Sequence, residues 1–96
     1  MNQVDFFKCL ASPIRLKILK FILYKQSNVY VTELIDTFEL DQPKISQHLA
    51  RLKSCSILTS EKLGQWHYYG LNPNLPAWAK SIIEIIKDHA DINEPL

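Results

Sequence analysis

Ninety-six residues, close to half of them apolar, suit one small folded domain and exclude a disordered chain. Eleven basic against ten acidic residues leave a net charge of +1, which excludes a grossly basic nucleic-acid binder but not a local basic patch. No apolar run approaches the ~20 residues that span a bilayer, and "MNQVDFF" lacks the basic and apolar regions of a signal peptide. Cys9 and Cys55 lie far apart and make no disulfide scaffold, so a reducing cytoplasm is expected.

In chain order, "VDFFKCL" is apolar on one side through Phe6, Phe7 and Leu10. Ser12 then offers an N-cap, and Pro13 takes the first helical position, where its missing N–H costs nothing. A second helix starts there and repeats Ile14, Ile18, Leu19 and Ile22 at helical spacing. "VTELIDTFEL" predicts a short third helix with Leu34, Ile35 and Phe38 inward, and Asp41 caps a fourth, with Pro43 tolerated in its first turn. Only Glu39 to Asp41 separate the two, the spacing of a helix-turn-helix. After Cys55, "ILTSEKLGQWHYYGL" is rich in β-branched and aromatic residues and predicts a two-stranded hairpin around a four-residue turn, "KLGQ". "NPNLP" ends it, "AWAKSIIEIIKDHA" is a last helix, and the tail "DINEPL" is expected to fray. The expectation is a single domain over 1–96, mainly α (α+β): a winged helix-turn-helix with a two-stranded β-hairpin wing, in the order α-α-α-α-β-β-α.

The fourth helix, "QPKISQHLARL", carries two stripes. Ile45, Leu49 and Leu52 fall at i, i+4 and i+7 and face the core. Lys44, Gln47, His48 and Arg51 form a polar stripe rotated away from them. Gln, Lys and Arg read base edges in a major groove, and Lys, Arg and Ser hold phosphates. A solvated face is the plain alternative, and the preceding helix and turn favour DNA. Local charge agrees: from Gln42 to Lys62, four cations (Lys44, Arg51, Lys53, Lys62) and one anion (Glu61) give 4 − 1 = +3. From Glu33 to Asp41 the four acids give −4. Gln42, Lys44, Ser46, Gln47 and His48 are therefore expected in the major groove. Arg51, Lys62 and Gln65 are expected on phosphates or in wing contacts. Trp66, Tyr68 and Tyr69 are read as packing the hairpin onto helices rather than stacking on bases.

The last helix is apolar on more than one face, through Trp78, Ile82, Ile83, Ile85, Ile86 and Ala90, and the surplus points to a second copy. No catalytic arrangement is visible. Ser46 and His48, two apart on a helix, point in different directions, and Gly64 and Gly70 are the only glycines, so there is no phosphate-cradling loop.

The strings "FKCLASPIRLKIL", "DQPKISQHLARLKSCSIL" and "GQWHYYGLNPNLPAWAKSII" resemble the ArsR/SmtB family of winged-helix repressors, and within it the arsenic-repressor branch. The resemblance implies a homodimer built from the first and last helices, with Phe6, Phe7, Leu10, Trp78, Ile82, Ile83 and Ile86 in its interface. It also implies an inverted-repeat double-stranded DNA operator, released on a signal. The family's Cys-Val-Cys arsenic site falls on "YVT", where Tyr30 and Thr32 are poor ligands for a thiophilic ion. The zinc-sensing branch's clusters have only Asp88 and His89 as counterparts here. No metal, cofactor or membrane partner is expected. Gly70 stands where the family wing usually has Arg, and Ser56 where a glycine often ends the recognition helix. Cys9 and Cys55 stand where small apolar residues are common, and a buried free Cys packs as one. Two other readings stay open: a thiol-responsive repressor using Cys9 or Cys55, and a protein-interaction module that has lost DNA binding.

Overall fold

The computed structural model describes Met1–His89; Ala90 and the tail "DINEPL" lie outside the described residues. The elements run α1 (Gln3–Leu10), α2 (Pro13–Lys25), β1 (Val29–Tyr30), α3 (Val31–Phe38), α4 (Gln42–Ser54), β2 (Leu58–Leu63), β3 (Trp66–Leu71) and α5 (Ala77–Asp88). The helix starts follow from local chemistry. Asn2 Oδ1 accepts from the Asp5 N–H at 2.9 Å, Ser12 Oγ from Arg15 N–H at 3.3 Å and Asp41 Oδ1 from Lys44 N–H at 3.0 Å. At the start of α3 the Glu33 carboxylate reaches back to the Tyr30 N–H at 3.2 Å.

Two features depart from the sequence expectation. The sheet has three strands in the order β1-β3-β2, because Val29 and Tyr30 pair with Tyr69 and Tyr68. A two-residue strand is too short to show a period of two. The hairpin is also tighter: Leu63 pairs with Trp66, so only Gly64 and Gln65 form the loop. Gly64 takes φ +63° while Gln65 stays outside the left-handed region, the sign pattern of a II′ turn, which suits the strand twist. Lys62 and Leu63 belong to β2 instead.

The end of α4 is closed by a complete Schellman motif. Ile57 N–H donates to Leu52 O at 3.1 Å and Ser56 N–H to Lys53 O at 3.0 Å, with Ser56 at φ +68°. Serine thus occupies a position where glycine is free of steric cost. Asn72 Nδ2 holds the Ser56 carbonyl at 2.8 Å.

The core draws on every helix. Phe6, Ile18, Leu34, Ile45, Leu49 and Leu52 are fully enclosed. Phe6 meets the Trp78 ring edge-on at 5.1 Å, joining α1 to α5. This corrects two interface expectations: Phe6 is 0% and Ile83 2% exposed, so both are spent inside the subunit. Leu10, Trp78, Ile82 and Ile86 are half-buried against the same core, and Phe7 stays 52% exposed.

Ion pairs tie helices together: Arg51 Nη2 reaches Asp5 Oδ1 at 2.8 Å, and Lys25 Nζ reaches Glu33 Oε2 at 2.9 Å. The Arg51 hydrogen bond holds the Asp5 carboxyl below its usual range, and the Lys25 bond does the same for Glu33. Each contribution is therefore complete above the unfolded carboxylate range and is lost as the pH falls through the lowered folded value.

Replacing Ser56 by Gly is expected to raise the unfolding free energy by about 0.5–1 kcal/mol, read as a higher denaturation midpoint at unchanged slope. Asp5→Asn is expected to flatten the loss of stability between about pH 5 and pH 3 in urea titrations. An unchanged profile means the pair is not linked to folding.

Candidate nucleic-acid interface

Burial of Ile45, Leu49 and Leu52 orients α4, and at ~100° per residue Gln47 and Ser54 then point furthest from the core. Pro43, Ala50 and Ser54 lie on the same exposed face. These three have no DNA-facing role in the sequence reading: Pro43 and Ala50 carry no polar group, and Ser54 Oγ donates to the Arg51 carbonyl at 2.8 Å. Their side chains are short, so this face of α4 is low relief around Gln47. Lys44 is exposed on one flank. Gln42 and Ser46 lie on the other, toward the wing.

Two expected contacts are partly engaged inside the chain. Arg51 gives Nη2 to Asp5 and Nη1 to Ser54 Oγ at 3.3 Å, so the fold sets an acid beside a cation counted as free in the sequence. His48 is half-buried and its Nδ1 lies 3.5 Å from Arg15 Nη1, on the side facing α2. Burial, then the Arg15 charge, lowers its pKa. His48 thus lies on the side of α4 that faces α2, and the outward face is centred on Gln47.

Arg15 is a residue the sequence reading missed. Its Nε donates to Cys9 O at 2.6 Å and its Nη2 to Lys8 O at 3.4 Å, closing the end of α1. Lys53 was counted in the basic strip but given no role. Its Nζ donates to Ser60 Oγ at 2.7 Å, which places a cation at the junction of α4 and the wing. Lys62 and Gln65 sit at the exposed wing tip, and Lys62 pairs across the strands with His67.

The wing aromatics divide. Tyr69 is buried in the core, as expected of a packing residue. Tyr68 and Trp66 lie on the opposite sheet face, packed edge-on against Tyr30 at 5.6 and 5.8 Å rather than on a helix. Trp66 remains 55% exposed. Tyr68 donates its hydroxyl to Glu61 at 3.0 Å. The Gly70 departure has a direct cause: the Asn28 side chain lies where a Cβ would stand, so this strand position is closed to Arg without moving Asn28.

At the family's arsenic-site position the Tyr30 ring packs on the wing and Thr32 is exposed, a donor set that does not fit a thiophilic ion. The cysteines are both buried and free. Cys9 Sγ donates to Arg51 O at 3.4 Å and Cys55 Sγ to Leu52 O at 3.3 Å. Burial and the neighbouring Cys55 push the Cys9 thiol up to about 12. A neutral, enclosed thiol packs like a small apolar group and is a poor redox sensor.

The sequence profile described as "Bacterial regulatory protein, arsR family" matches residues 12–60. The chain is 39% identical over 85% of its length to the arsenic resistance transcriptional regulator ArsR1 of Pseudomonas putida. It is 40% identical over 84% of its length to the arsenical resistance operon repressor of Escherichia coli K12. It spans 63% of the first relative and 68% of the second. Among solved structures, HlyU from Vibrio cholerae superposes with a TM-score of 0.77 at 31% identity, covering 90% of this chain and 88% of that one. No helix among the described residues is long and apolar enough to cross a membrane. The helix-turn-helix, the wing and these matches lead to one conclusion: the chain belongs to the arsR family of bacterial regulatory proteins.

Proposed function

We propose that the chain represses transcription in the cytoplasm, as a homodimer that lays two α4 helices into successive major grooves of an inverted-repeat operator. The observation that carries this reading is the outward face of α4, where Gln47 is set opposite three fully buried residues and flanked by Lys44. Gln42 and Ser46 complete the helix surface toward the wing. Lys53, Lys62 and Gln65 supply contacts to the flanking backbone. Arg51 contributes charge from its bridge with Asp5, and His48 serves α4 from behind. The chain is a regulator and not an enzyme.

The dimer reading is supported by the apolar surface that the subunit leaves uncovered on its first and last helices. Phe7 and Val4 are exposed on α1, and Ile85 on α5 is 62% exposed. Half-buried Leu10, Trp78, Ile82 and Ile86 border that surface. Such a patch on so small a domain suits a two-fold, self-complementary contact. Val4 and Ile85 join the interface residues read from the sequence, while Phe6 and Ile83 leave them.

Gln47→Ala is expected to cost about 1–3 kcal/mol of discrimination between operator and scrambled duplex in fluorescence anisotropy. Lys44→Ala is expected to weaken operator binding more than scrambled-duplex binding and to lower the salt slope by about 1. If both variants bind like the parent protein, α4 is not the reading helix. Ile85→Asp is expected to shift the sedimentation of the chain from dimer to monomer and weaken operator binding with it. A dimer that survives the substitution places the interface elsewhere.

A further inference from the structure

A cleft of about 220 Å³ lies between the start of α3, the first turns of α4 and the beginning of β3. Thr32, Gln42, Ser46, Gln65, Trp66 and His67 line it beside the rings of Tyr30 and Tyr69, with no carboxylate and no Lys or Arg. The aliphatic hydroxyls of Thr32 and Ser46, two carboxamides, an imidazole and an indole N–H, with two phenols beside them, make a set rich in donors. Among the described residues, the side chains of Thr32, Gln42, Ser46, Gln65 and His67 make no hydrogen bond to the protein. The cleft exists because β1 stops at Tyr30 and pairs with β3 only at Tyr68 and Tyr69, leaving the edge of β3 at Trp66 and His67 without a strand beside it.

We propose that this cleft seats one backbone phosphate of the operator, and that Thr32 and His67 are DNA-contacting residues beyond α4 and the wing tip. The proposal rests on the DNA-binding reading above and specifies where the duplex backbone crosses the subunit. Position supports it: in a helix-turn-helix the first helix crosses the backbone while the second enters the groove, and Thr32 stands at the start of that first helix. Chemistry supports it too. Neutral hydroxyl, amide and imidazole donors position a phosphodiester, and a carboxylate in the wall would repel one. The nearest acid of α3, Glu33, is turned away to the Tyr30 N–H and Lys25. Lys62, paired across from His67 on the same sheet face, adds a cation beside the cleft without entering it. A cleft without a fixed charge has little hold on free phosphate. It acts when the recognition helix and wing bring the duplex to it.

The test uses the full chain and a duplex from the region upstream of its own gene. Thr32→Val keeps shape and removes a donor; His67→Phe keeps the ring against Tyr69 and removes its nitrogens. Each is expected to weaken operator and scrambled duplex alike by about tenfold, and His67→Gln, which restores a donor, to recover most of the loss. Single neutral methylphosphonates are then placed along the operator. One position is expected to weaken the parent protein but to cost the Thr32→Val/His67→Phe double variant nothing further. Folding is checked by unfolding midpoint. If folded variants bind like the parent, or if the methylphosphonate losses are the same in both proteins, the cleft holds no phosphate. Gln47→Ala separates the two readings: loss of operator selectivity there with unchanged Thr32 and His67 variants overturns the cleft alone. A parent protein that does not bind duplex DNA overturns both.

Discussion

The burial of Ile45, Leu49 and Leu52 is the constraint on which the interface depends. Each is fully enclosed, and removing each from water contributes about 1.5–3 kcal/mol. A rotation of α4 by one residue would swing that stripe by about 100° and bury polar groups without partners. The outward direction of Gln47, the flanking position of Lys44 and the wingward position of Gln42 and Ser46 are consequences of that apolar stripe. The caps act on the same helix from its ends. Asp41 closes the start, and the Schellman motif at Ser56 turns the chain directly into β2. Helix and wing are thereby held in a fixed relation.

A second layer of contacts joins α4 to α1 and α2 and, through α1, to α5. Asp5 on α1 reaches Arg51, Cys9 Sγ reaches the Arg51 carbonyl, and Arg15 on α2 spans from the end of α1 to His48. Phe6 then connects α1 to Trp78 on α5. The exposed apolar residues of α1 and α5 and the polar outward face of α4 are thereby linked through one packed junction. Within it Asp5 neutralises Arg51, while Arg15, whose side chain bonds to carbonyls and the His48 ring, adds a cation that the sequence strip did not include.

The chain's departures from its family pattern have local physical accounts. Serine at position 56 still adopts the left-handed conformation because the two backbone bonds of the helix end require it. Gly70 leaves room for the Asn28 side chain. Tyr30 and Thr32 replace thiol chemistry with a ring that packs on the wing and a hydroxyl at the mouth of a polar cleft. The position that reads as a lost metal site in the sequence is, in the fold, a boundary between the helix-turn-helix and the wing.

Much of the architecture was legible in the sequence because its signals are local. Ser12–Pro13 and Asp41 mark helix starts through bonds made within three residues, and the spacing of Ile45, Leu49 and Leu52 declares the inner face of α4. Gln47 and Lys44 follow from that periodicity alone. What only the tertiary structure decided are relations between distant segments. The pairing of Val29–Tyr30 with Tyr68–Tyr69 is too short to leave a pattern, and the hairpin register shifted because Leu63 and Trp66 pair across it. The engagement of Arg51 by Asp5 and of His48 by Arg15 joins residues 46 and 33 positions apart, which no helical period can reveal. Phe6 and Ile83 could be known to be apolar from the sequence, but whether that apolar surface serves the subunit or a partner depends on how α1 and α5 close on one core.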